Sequence, residues 1–177
     1  KAFQDVMGRE NFERLTVQYS LDRGYYCELI SDTSLTKELL NRVKLRMQEI
    51  QKENIPIIKK SMPKREAIEI FWEHKMSDKV TLFHYRRRSR INVYTLEDTV
   101  DYFYGYMAPN TSYVRYFDLY LYDDGFVLQM PEPASPETVD AFEPPEKLFN
   151  VLKQSARWGE LLGVRTVADI NNALADG

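Results

Sequence analysis

The sequence predicts an α+β fold in which helices cover one face of an antiparallel sheet. Segments with alternating apolar residues occur as hairpin pairs, such as 15–21 and 25–30 on either side of a turn at 22–24. Longer segments with helical apolar spacing, such as 35–53, follow the hairpins and do not alternate with each strand. Hairpins followed by helices indicate antiparallel pairing, with the helices packed against the sheet.

Two periodicities define the elements of the N-terminal half. Residues 1–9 have the pattern of the end of an amphipathic helix. Alternate residues from Leu15 to Leu21 are apolar, which predicts a half-buried strand, and Gly24 in the following turn is free to take a positive φ. The next predicted elements are a helix at 35–53, a short strand at 55–60, and helices at 64–73 and 78–85.

The C-terminal half begins with further strands and ends with helices. Five prolines between 131 and 145 predict a rigid, extended connector. The predicted elements are strands at 91–94 and 100–104, a hairpin at 116–122 and 126–130, and helices at 147–162 and 166–175. We therefore expect three regions: an α+β domain at 1–130, the connector at 131–145, and C-terminal helices at 146–177.

Composition excludes several classes of protein. The 177 residues suit one domain or two small ones, and the net charge of −3 argues against a nucleic-acid partner. A single cysteine, Cys27, excludes an internal disulfide and fits a cytoplasmic location. No apolar run reaches the roughly 18 residues needed to span a bilayer, so no membrane partner is expected. Because the chain starts at Lys1 without a cap, we expect it to be part of a longer protein.

The segment 100–113 is the most distinctive stretch of the sequence. It contains four tyrosines, and Tyr102, Tyr104 and Tyr106 share one parity. On a strand, Tyr102 and Tyr104 would form an aromatic stripe on one face, with Phe103 on the other. Either this stripe packs in a core or interface, or it lines a pocket for a small planar ligand such as a nucleoside. The candidate pocket residues are Tyr19, Tyr102, Phe103, Tyr104, Tyr106 and Met107.

The densest positive cluster is Arg86, Arg87, Arg88 and Arg90. One interpretation is a solvated loop. The other is a phosphate or RNA contact, in which the tyrosines supply stacking surfaces as they do in proteins that bind single strands.

Few residues are candidates for catalysis. His74 and His84 are predicted to be surface or helix-capping residues, and Cys27, in the middle of a strand, is predicted to be a buried, inert thiol. No metal-ligand set and no glycine-rich phosphate loop is present in the sequence. We therefore expect no catalytic residue, no metal and no cofactor within these 177 residues.

Three stretches resemble the second N-terminal domain of threonyl-tRNA synthetases. They are 21–28 (LDRGYYCE), 35–50, and 100–110 (VDYFYGYMAPN). The resemblance implies the common-domain fold of the threonyl- and alanyl-tRNA synthetases. In that family a Cys and a His of the third stretch hydrolyse mischarged tRNA, and their positions correspond here to Phe103 and Met107. Since neither side chain can transfer a proton, the resemblance implies a degenerate editing site.

The chain also resembles the N-terminal half of bacterial uridine-kinase-like proteins. The stretches that carry this resemblance are 46–50 (RMQEI), 78–80 (DKV), 102–107 (YFYGYM), 125–131 (GFVLQMP), 147–149 (KLF) and 158–164 (WGELLGV). It implies a cytoplasmic accessory or regulatory region whose partner is its own kinase domain, beyond residue 177, which would use ATP and Mg. The alternative is an editing hydrolase or tRNA-binding module related to threonyl-tRNA synthetase.

Overall fold

The computed structural model describes residues 1–164 and 166–175, and it confirms the α+β class. Arg165, Asp176 and Gly177, which fall in the predicted C-terminal helical region, lie outside the described residues. The chain divides into two compact units, the first formed by Lys1–Ile55 and Asn110–Leu152, the second by Pro56–Pro109 and Lys153–Gly177. None of the helices among the described residues has the length and apolar content required to cross a bilayer.

The described residues contain seven strands and six α-helices. The strands are β1 (Arg14–Leu21), β2 (Gly24–Ile30), β3 (Ile58–Pro63), β4 (Arg90–Leu96), β5 (Thr99–Tyr102), β6 (Asp118–Tyr122) and β7 (Gly125–Gln129). The helices are α1 (Ala2–Met7), α2 (Lys37–Glu53), α3 (Lys64–Glu73), α4 (Ser77–Tyr85), α5 (Glu146–Leu161) and α6 (Val167–Ala175). A short 3-10 helix occupies Thr111–Tyr113.

The first unit is built on a four-stranded antiparallel sheet with strand order β1-β2-β7-β6. One face packs against α1 and α2, where Phe3, Leu40 and Val43 meet Cys27 and Phe126 of the sheet. Thr36 caps the start of helix α2, because its side chain accepts a hydrogen bond from the Leu39 amide. This face forms the larger apolar core of the unit.

The opposite face of this sheet is aromatic. Tyr26 stacks on Tyr19 with ring centroids 5.2 Å apart, and Phe149 of α5 meets Tyr26 edge-on at 5.0 Å. Tyr122 also meets Phe149 edge-on, at 4.6 Å. Offset and edge-on contacts of this kind each add about 0.5–1.5 kcal/mol beyond area burial.

A β-bulge changes the faces predicted for β1. The register shifts between Val17, which pairs with Cys27, and Tyr19, which pairs with Tyr26. Because Cys27 and Tyr26 point to opposite faces, Val17 and Tyr19 do too, although their spacing in sequence predicts one shared face. The strand itself is confirmed, but its strict alternation is wrong.

Gly24 does not take the positive φ that the sequence predicts for it. Asp22 and Asp123 take the positive φ values, 52° and 51°, whereas Gly24 begins β2 in an extended conformation. A Cβ added to Gly24 would lie 2.5 Å from Val127 Cγ1. Gly24 is therefore required by a close approach between strands rather than by a left-handed backbone.

The segment that follows β7 lies along the first hairpin. The Arg23 guanidinium is 2.7 Å from a Glu132 carboxylate oxygen and 2.6 Å from an Asp140 carboxylate oxygen. Phe142 packs on Tyr120 and Tyr122, with ring centroids 5.8 and 5.3 Å apart. The proline-rich stretch is thus attached to the first unit at two points.

The second unit has its own three-stranded antiparallel sheet with strand order β3-β4-β5. Helices α3 and α4 cover one face, and Phe71 and Phe83, both fully buried, pack on Ile91 and Val93 of β4. The strands therefore divide between two sheets, one in each unit, rather than forming one.

Strand β5 is shorter than the sequence predicts. It ends at Tyr102, which pairs with Val93, and the chain from Phe103 onward leaves the sheet. The Tyr94 hydroxyl donates a hydrogen bond to the Gly105 carbonyl oxygen at 2.7 Å, and this bond holds the segment at the hydroxyl end of Tyr94. Tyr104 and Tyr106 are therefore not on a strand with Tyr102, and the single-faced tyrosine stripe is wrong.

Candidate functional site

Residues 102–107, which we call the tyrosine segment, expose an unusual amount of apolar surface. Tyr106 is 90% and Tyr104 is 70% exposed, and Phe103 and Met107 are each nearly half exposed. Contiguous exposed apolar side chains of this kind mark interaction sites in soluble proteins. The segment is therefore the strongest candidate for a binding site in the second unit.

Arg86 lies over the beginning of this segment. Its guanidinium carbon is 5.1 Å from the Tyr102 ring centroid and 5.4 Å from the Tyr104 ring centroid, and a guanidinium N–H donates to the Tyr102 hydroxyl. The Lys64 ammonium donates to the Arg86 carbonyl oxygen at 3.1 Å. These contacts anchor the loop at residues 86–89, which we call the arginine loop, at its first residue. They hold Arg86 beside two tyrosine rings.

Two further cations stand over exposed rings. The Arg88 guanidinium carbon is 5.9 Å from the Tyr104 centroid, and the Lys59 ammonium is 4.4 Å from the Tyr106 centroid. Distances within about 6 Å allow cation–π attraction, which is worth about 0.5–1 kcal/mol at exposed sites. Each of the two most exposed tyrosines therefore carries a positive charge at its face.

The other two arginines of the predicted cluster differ from Arg86 and Arg88. Arg90 donates to the Ser61 carbonyl oxygen at 2.7 Å and to the Ser61 hydroxyl at 3.2 Å, so it ties β4 to β3. Arg87 is exposed to solvent. The four predicted contact residues therefore divide into two that meet tyrosines, one that supports the sheet, and one exposed side chain.

The six predicted pocket residues fall in different units. Tyr102, Phe103, Tyr104, Tyr106 and Met107 lie in the second unit, whereas Tyr19 lies in the first, packed against Tyr26 and Phe149. Tyr102 is itself half-buried against Phe83, with ring centroids 4.9 Å apart. Tyr102 thus supports the segment, while Tyr104 and Tyr106 offer the accessible rings.

Lys59 was missed by the sequence reasoning. It reaches Tyr106 because β3 pairs with β4 in a register that places Lys59 opposite Tyr94, the residue that holds the tyrosine segment. No motif in the sequence links Lys59 to residues nearly fifty positions away. The sequence feature that could have indicated Lys59 is its position on a strand that pairs with the strand carrying Tyr94.

Comparison with known proteins finds threonine–tRNA ligases of several bacteria among the relatives. A stretch of 120 residues is 31% identical to threonine–tRNA ligase of Thermotoga maritima and covers 67% of this chain and 18% of that protein. The corresponding enzyme of Psychrobacter arcticus is 31% identical over 100 residues, or 56% of this chain and 16% of that protein. That of Clostridium kluyveri is 33% identical over 99 residues, or 55% of this chain and 16% of that protein.

The chain is a distant homologue of part of threonine–tRNA ligase. It spans about a fifth of the length of the curated relatives it matches, or less. No protein-family model matches the sequence. The α+β architecture, with antiparallel sheets and packed helices, fits the common-domain fold expected from that homology.

Within this threonine–tRNA ligase-like region, both histidines lie at helices of the second unit. His74 directly follows α3 and His84 lies exposed on α4, with its ring edge-on to Tyr85. Across residues 1–164 and 166–175, no group of three or more His, Cys, Asp or Glu side chains is arranged to hold a metal ion. The positions compared with the hydrolytic Cys and His carry Phe103 and Met107, which have no proton to transfer.

Cys27 is 2% exposed, and burial raises the pKa of its thiol from 9.0 to about 11. We predict that iodoacetamide does not modify the folded protein at pH 8 but modifies it readily after denaturation, since the thiolate is the reactive form. The unfolded chain releases this proton near pH 9 and the folded chain only near pH 11. The unfolding free energy should therefore fall as the pH rises through that interval.

The measurement is mass spectrometry of alkylated protein, together with urea unfolding at pH 8 and in the alkaline range. Cys27→Ala is the control, because its unfolding free energy should fall less over the same pH range. Rapid alkylation of the native protein at pH 8 would show that the thiol is accessible and activated.

Proposed function

We propose that this chain is a non-hydrolytic module that binds an unpaired RNA end, related to the tRNA-binding and editing region of threonyl-tRNA synthetase. The observation that carries the proposal is the Arg86 guanidinium over both Tyr102 and Tyr104. Aromatic rings beside positive charges are what single-strand binders use: bases stack on the rings, and the cations hold the phosphates.

Local charge supports this ligand despite the net charge of −3. Three cations lie over rings of the tyrosine segment: Lys59, Arg86 and Arg88. A fourth, Arg87, stands between the two arginines in the sequence. Phosphate contacts depend on such local cations, and their effect reaches only about 10 Å at ordinary salt concentrations. Asp101 is the acidic residue adjacent to this segment, and its carboxylate lies 3.8 Å from the Lys79 ammonium. Acidic residues farther away than the screening length oppose binding only weakly.

The first test measures affinity for a short fluorescein-labelled single-stranded RNA by anisotropy at about 50 and about 200 mM salt. We predict that Arg86→Ala weakens binding by about five- to tenfold and makes it less salt-dependent, because one phosphate contact and one stacking partner are lost. Arg65→Ala, which removes the same charge from an exposed position of α3, is the matched control and should bind as the native chain does.

The stacking component is tested separately at Tyr104. Tyr104→Ala should weaken RNA binding by an amount equivalent to about 1–3 kcal/mol, whereas Tyr104→Phe, which keeps the ring, should retain binding. A duplex RNA of the same sequence should bind less tightly, because its bases are not free to stack. Equal affinity for duplex and single strand, or no effect of Arg86→Ala, would refute the proposal.

The hydrolytic alternative requires its own assay. Under this proposal, the chain does not accelerate deacylation of a mischarged tRNA above the rate in buffer, because Phe103 and Met107 supply no acid or base. Turnover that is lost on substitution within the tyrosine segment would identify an editing hydrolase instead.

We also propose, from sequence resemblance, that the full-length protein is a cytoplasmic uridine-kinase-like enzyme and that this chain is its accessory region. The feature that favours it is the exposed rings of Tyr104 and Tyr106, on which a nucleoside base could stack. Calorimetric titration with uridine, cytidine and ATP separates the two proposals. Binding of a free nucleoside that is lost in Tyr104→Ala supports the kinase relationship, and binding of RNA alone supports the tRNA-related module.

A further inference from the structure

A cleft that shares no residue with the tyrosine segment lies among three helices of the second unit. Its volume is about 360 Å³, which is within the range of pockets that hold small molecules. One lining residue comes from α3, four come from α4 and one comes from α6; they are Ile68, Val80, Thr81, His84, Tyr85 and Asn172. We call this cleft the His84 cleft.

The spacing of the residues on α4 explains why they meet at one surface. Val80 and His84 are four residues apart, and so are Thr81 and Tyr85, so the members of each pair are neighbours on the helix surface. Helix α6 is tied to this surface, because the Tyr85 hydroxyl donates a hydrogen bond to the side-chain oxygen of Asn172. The cleft is therefore held together by a hydrogen bond between two of its own lining residues.

One part of the lining is apolar. Ile68 and Val80 pack on the core cluster that contains Phe71 and Phe83, yet both side chains are only half-buried. A ligand that covers them removes further apolar surface from water, which is favourable. This part of the cleft therefore suits the ring of a small apolar molecule, and the ring of Tyr85 beside it offers an aromatic contact.

The polar part of the lining has unused hydrogen-bond donors. The Asn172 oxygen accepts from Tyr85, but the Asn172 amide nitrogen, with two N–H groups, has no hydrogen-bond partner among the described residues. The His84 imidazole meets Tyr85 edge-on and makes no hydrogen bond within the same part of the chain. The hydroxyl hydrogens of Thr81 and Tyr85, in contrast, are already donated, to the Ser77 carbonyl oxygen and to Asn172. The groups left for a ligand are therefore mainly N–H donors.

The charge of the lining favours a monoanion. Of the six lining residues, His84 alone can carry a positive charge, and none is acidic. A protonated imidazole supplies one charge and two N–H donors. A carboxylate matches this set, because it carries one negative charge and accepts several hydrogen bonds. A phosphate monoester carries nearly two negative charges, and the lining has no second cation to meet it.

We propose that the His84 cleft binds a small aromatic monocarboxylate. The carboxylate oxygens accept hydrogen bonds from the protonated His84 imidazole and from the Asn172 amide nitrogen, while the ring lies against Ile68 and Val80. Binding breaks none of the hydrogen bonds described above, because the ligand uses the N–H donors that Tyr85 and Thr81 leave unused. The site is independent of the proposed RNA-binding surface, which is built from other residues.

The test titrates the full chain with sodium benzoate at about pH 6, where imidazole in water is largely protonated. Proton NMR follows the imidazole signals of the two histidines, and His74, which does not line the cleft, is the internal reference. We expect a saturable shift of the His84 signals alone, with a Kd on the order of 1 mM for so small a ligand. Sodium acetate, which lacks the ring, benzyl alcohol, which lacks the charge, and sodium phosphate should each bind more weakly by about tenfold or more. Sodium chloride at matched ionic strength should give no saturable shift.

Two variants make the test specific, with affinities measured by isothermal titration calorimetry. His84→Gln removes the charge and should weaken benzoate binding by about tenfold. Asn172→Asp keeps an acceptor for Tyr85 but replaces the N–H donors by a carboxylate, so repulsion between like charges should weaken binding at least as much. His74→Gln makes the same change outside the cleft and should bind as the native chain does. His84 and Asn172 are both exposed, so circular dichroism and Tm should show that the variants fold normally.

Each outcome decides for or against the proposal. Saturable binding of benzoate that depends on His84 and Asn172 and is retained in His74→Gln supports it. Four results would each overturn it: no saturation at ten times the expected Kd, equal shifts at the two histidines, unchanged affinity in His84→Gln, or binding of benzyl alcohol or phosphate as tight as that of benzoate.

Discussion

Replacement of Phe71 by alanine is expected to lower the unfolding free energy by about 3–5 kcal/mol, the usual loss for a fully buried phenylalanine. Phe71 is 0% exposed on the inner side of α3 and packs against Phe83, with ring centroids 5.4 Å apart. Phe83 in turn meets Tyr102 edge-on. Removing the Phe71 ring leaves a cavity in the cluster against which Tyr102, the first residue of the tyrosine segment, packs.

Urea unfolding followed by circular dichroism measures this loss. The slope of the unfolding free energy against urea concentration, m, should be the same for the variant and the native chain. The neighbouring residue provides a matched control, because Trp72 is 71% exposed on the same helix. Trp72→Ala should change the unfolding free energy by no more than about 0.5 kcal/mol. Similar losses for the two variants would mean that α3 does not present the Phe71 side to the sheet.

Gly125→Ala should also destabilise the protein strongly, by about 3 kcal/mol. The added Cβ would lie 2.2 Å from the Cys27 carbonyl oxygen, which is a backbone atom and cannot turn away. Cys27 and Phe126 are register partners in the β2–β7 ladder, so relief of the clash requires the two central strands of the sheet to separate. No side-chain rotation can accommodate the methyl group.

Gly105→Ala is the comparison for this variant. Its Cβ would meet only the Phe103 ring, at 3.2 Å, and Phe103 is half exposed and able to move. Thermal and urea unfolding should therefore show little change for Gly105→Ala and a large loss for Gly125→Ala. If Gly125→Ala is as stable as the native chain, β2 and β7 do not pair as described.

The helices were predictable from the sequence because their signals are local. The apolar spacing within 35–53 predicts α2 to within two residues, and Thr36 and Pro56 mark its ends. The two hairpins were predictable for the same reason, since each turn lies between two adjacent alternating segments. Such patterns depend on residues a few positions apart and need no knowledge of the rest of the chain.

Strand pairing between distant segments was not predictable. The pairing of β2 with β7 joins residues about a hundred positions apart, and no property of either strand specifies the other. The division of strands between two sheets follows from these pairings. The bulge between Val17 and Tyr19 is likewise invisible in the sequence, because it depends on how β1 matches β2.

The candidate site likewise combines local features that the sequence specifies with long-range contacts that it does not. The sequence by itself determined which groups are available: tyrosine rings at 102–106, arginines at 86–90, and no acid or base at Phe103 or Met107. Only the tertiary structure decided that Arg86 lies over Tyr102 and Tyr104, that Lys59 faces Tyr106, and that Tyr19 packs elsewhere. The physical reason is that side-chain chemistry belongs to each residue, whereas cation–π attraction and burial depend on distances between residues far apart in the chain.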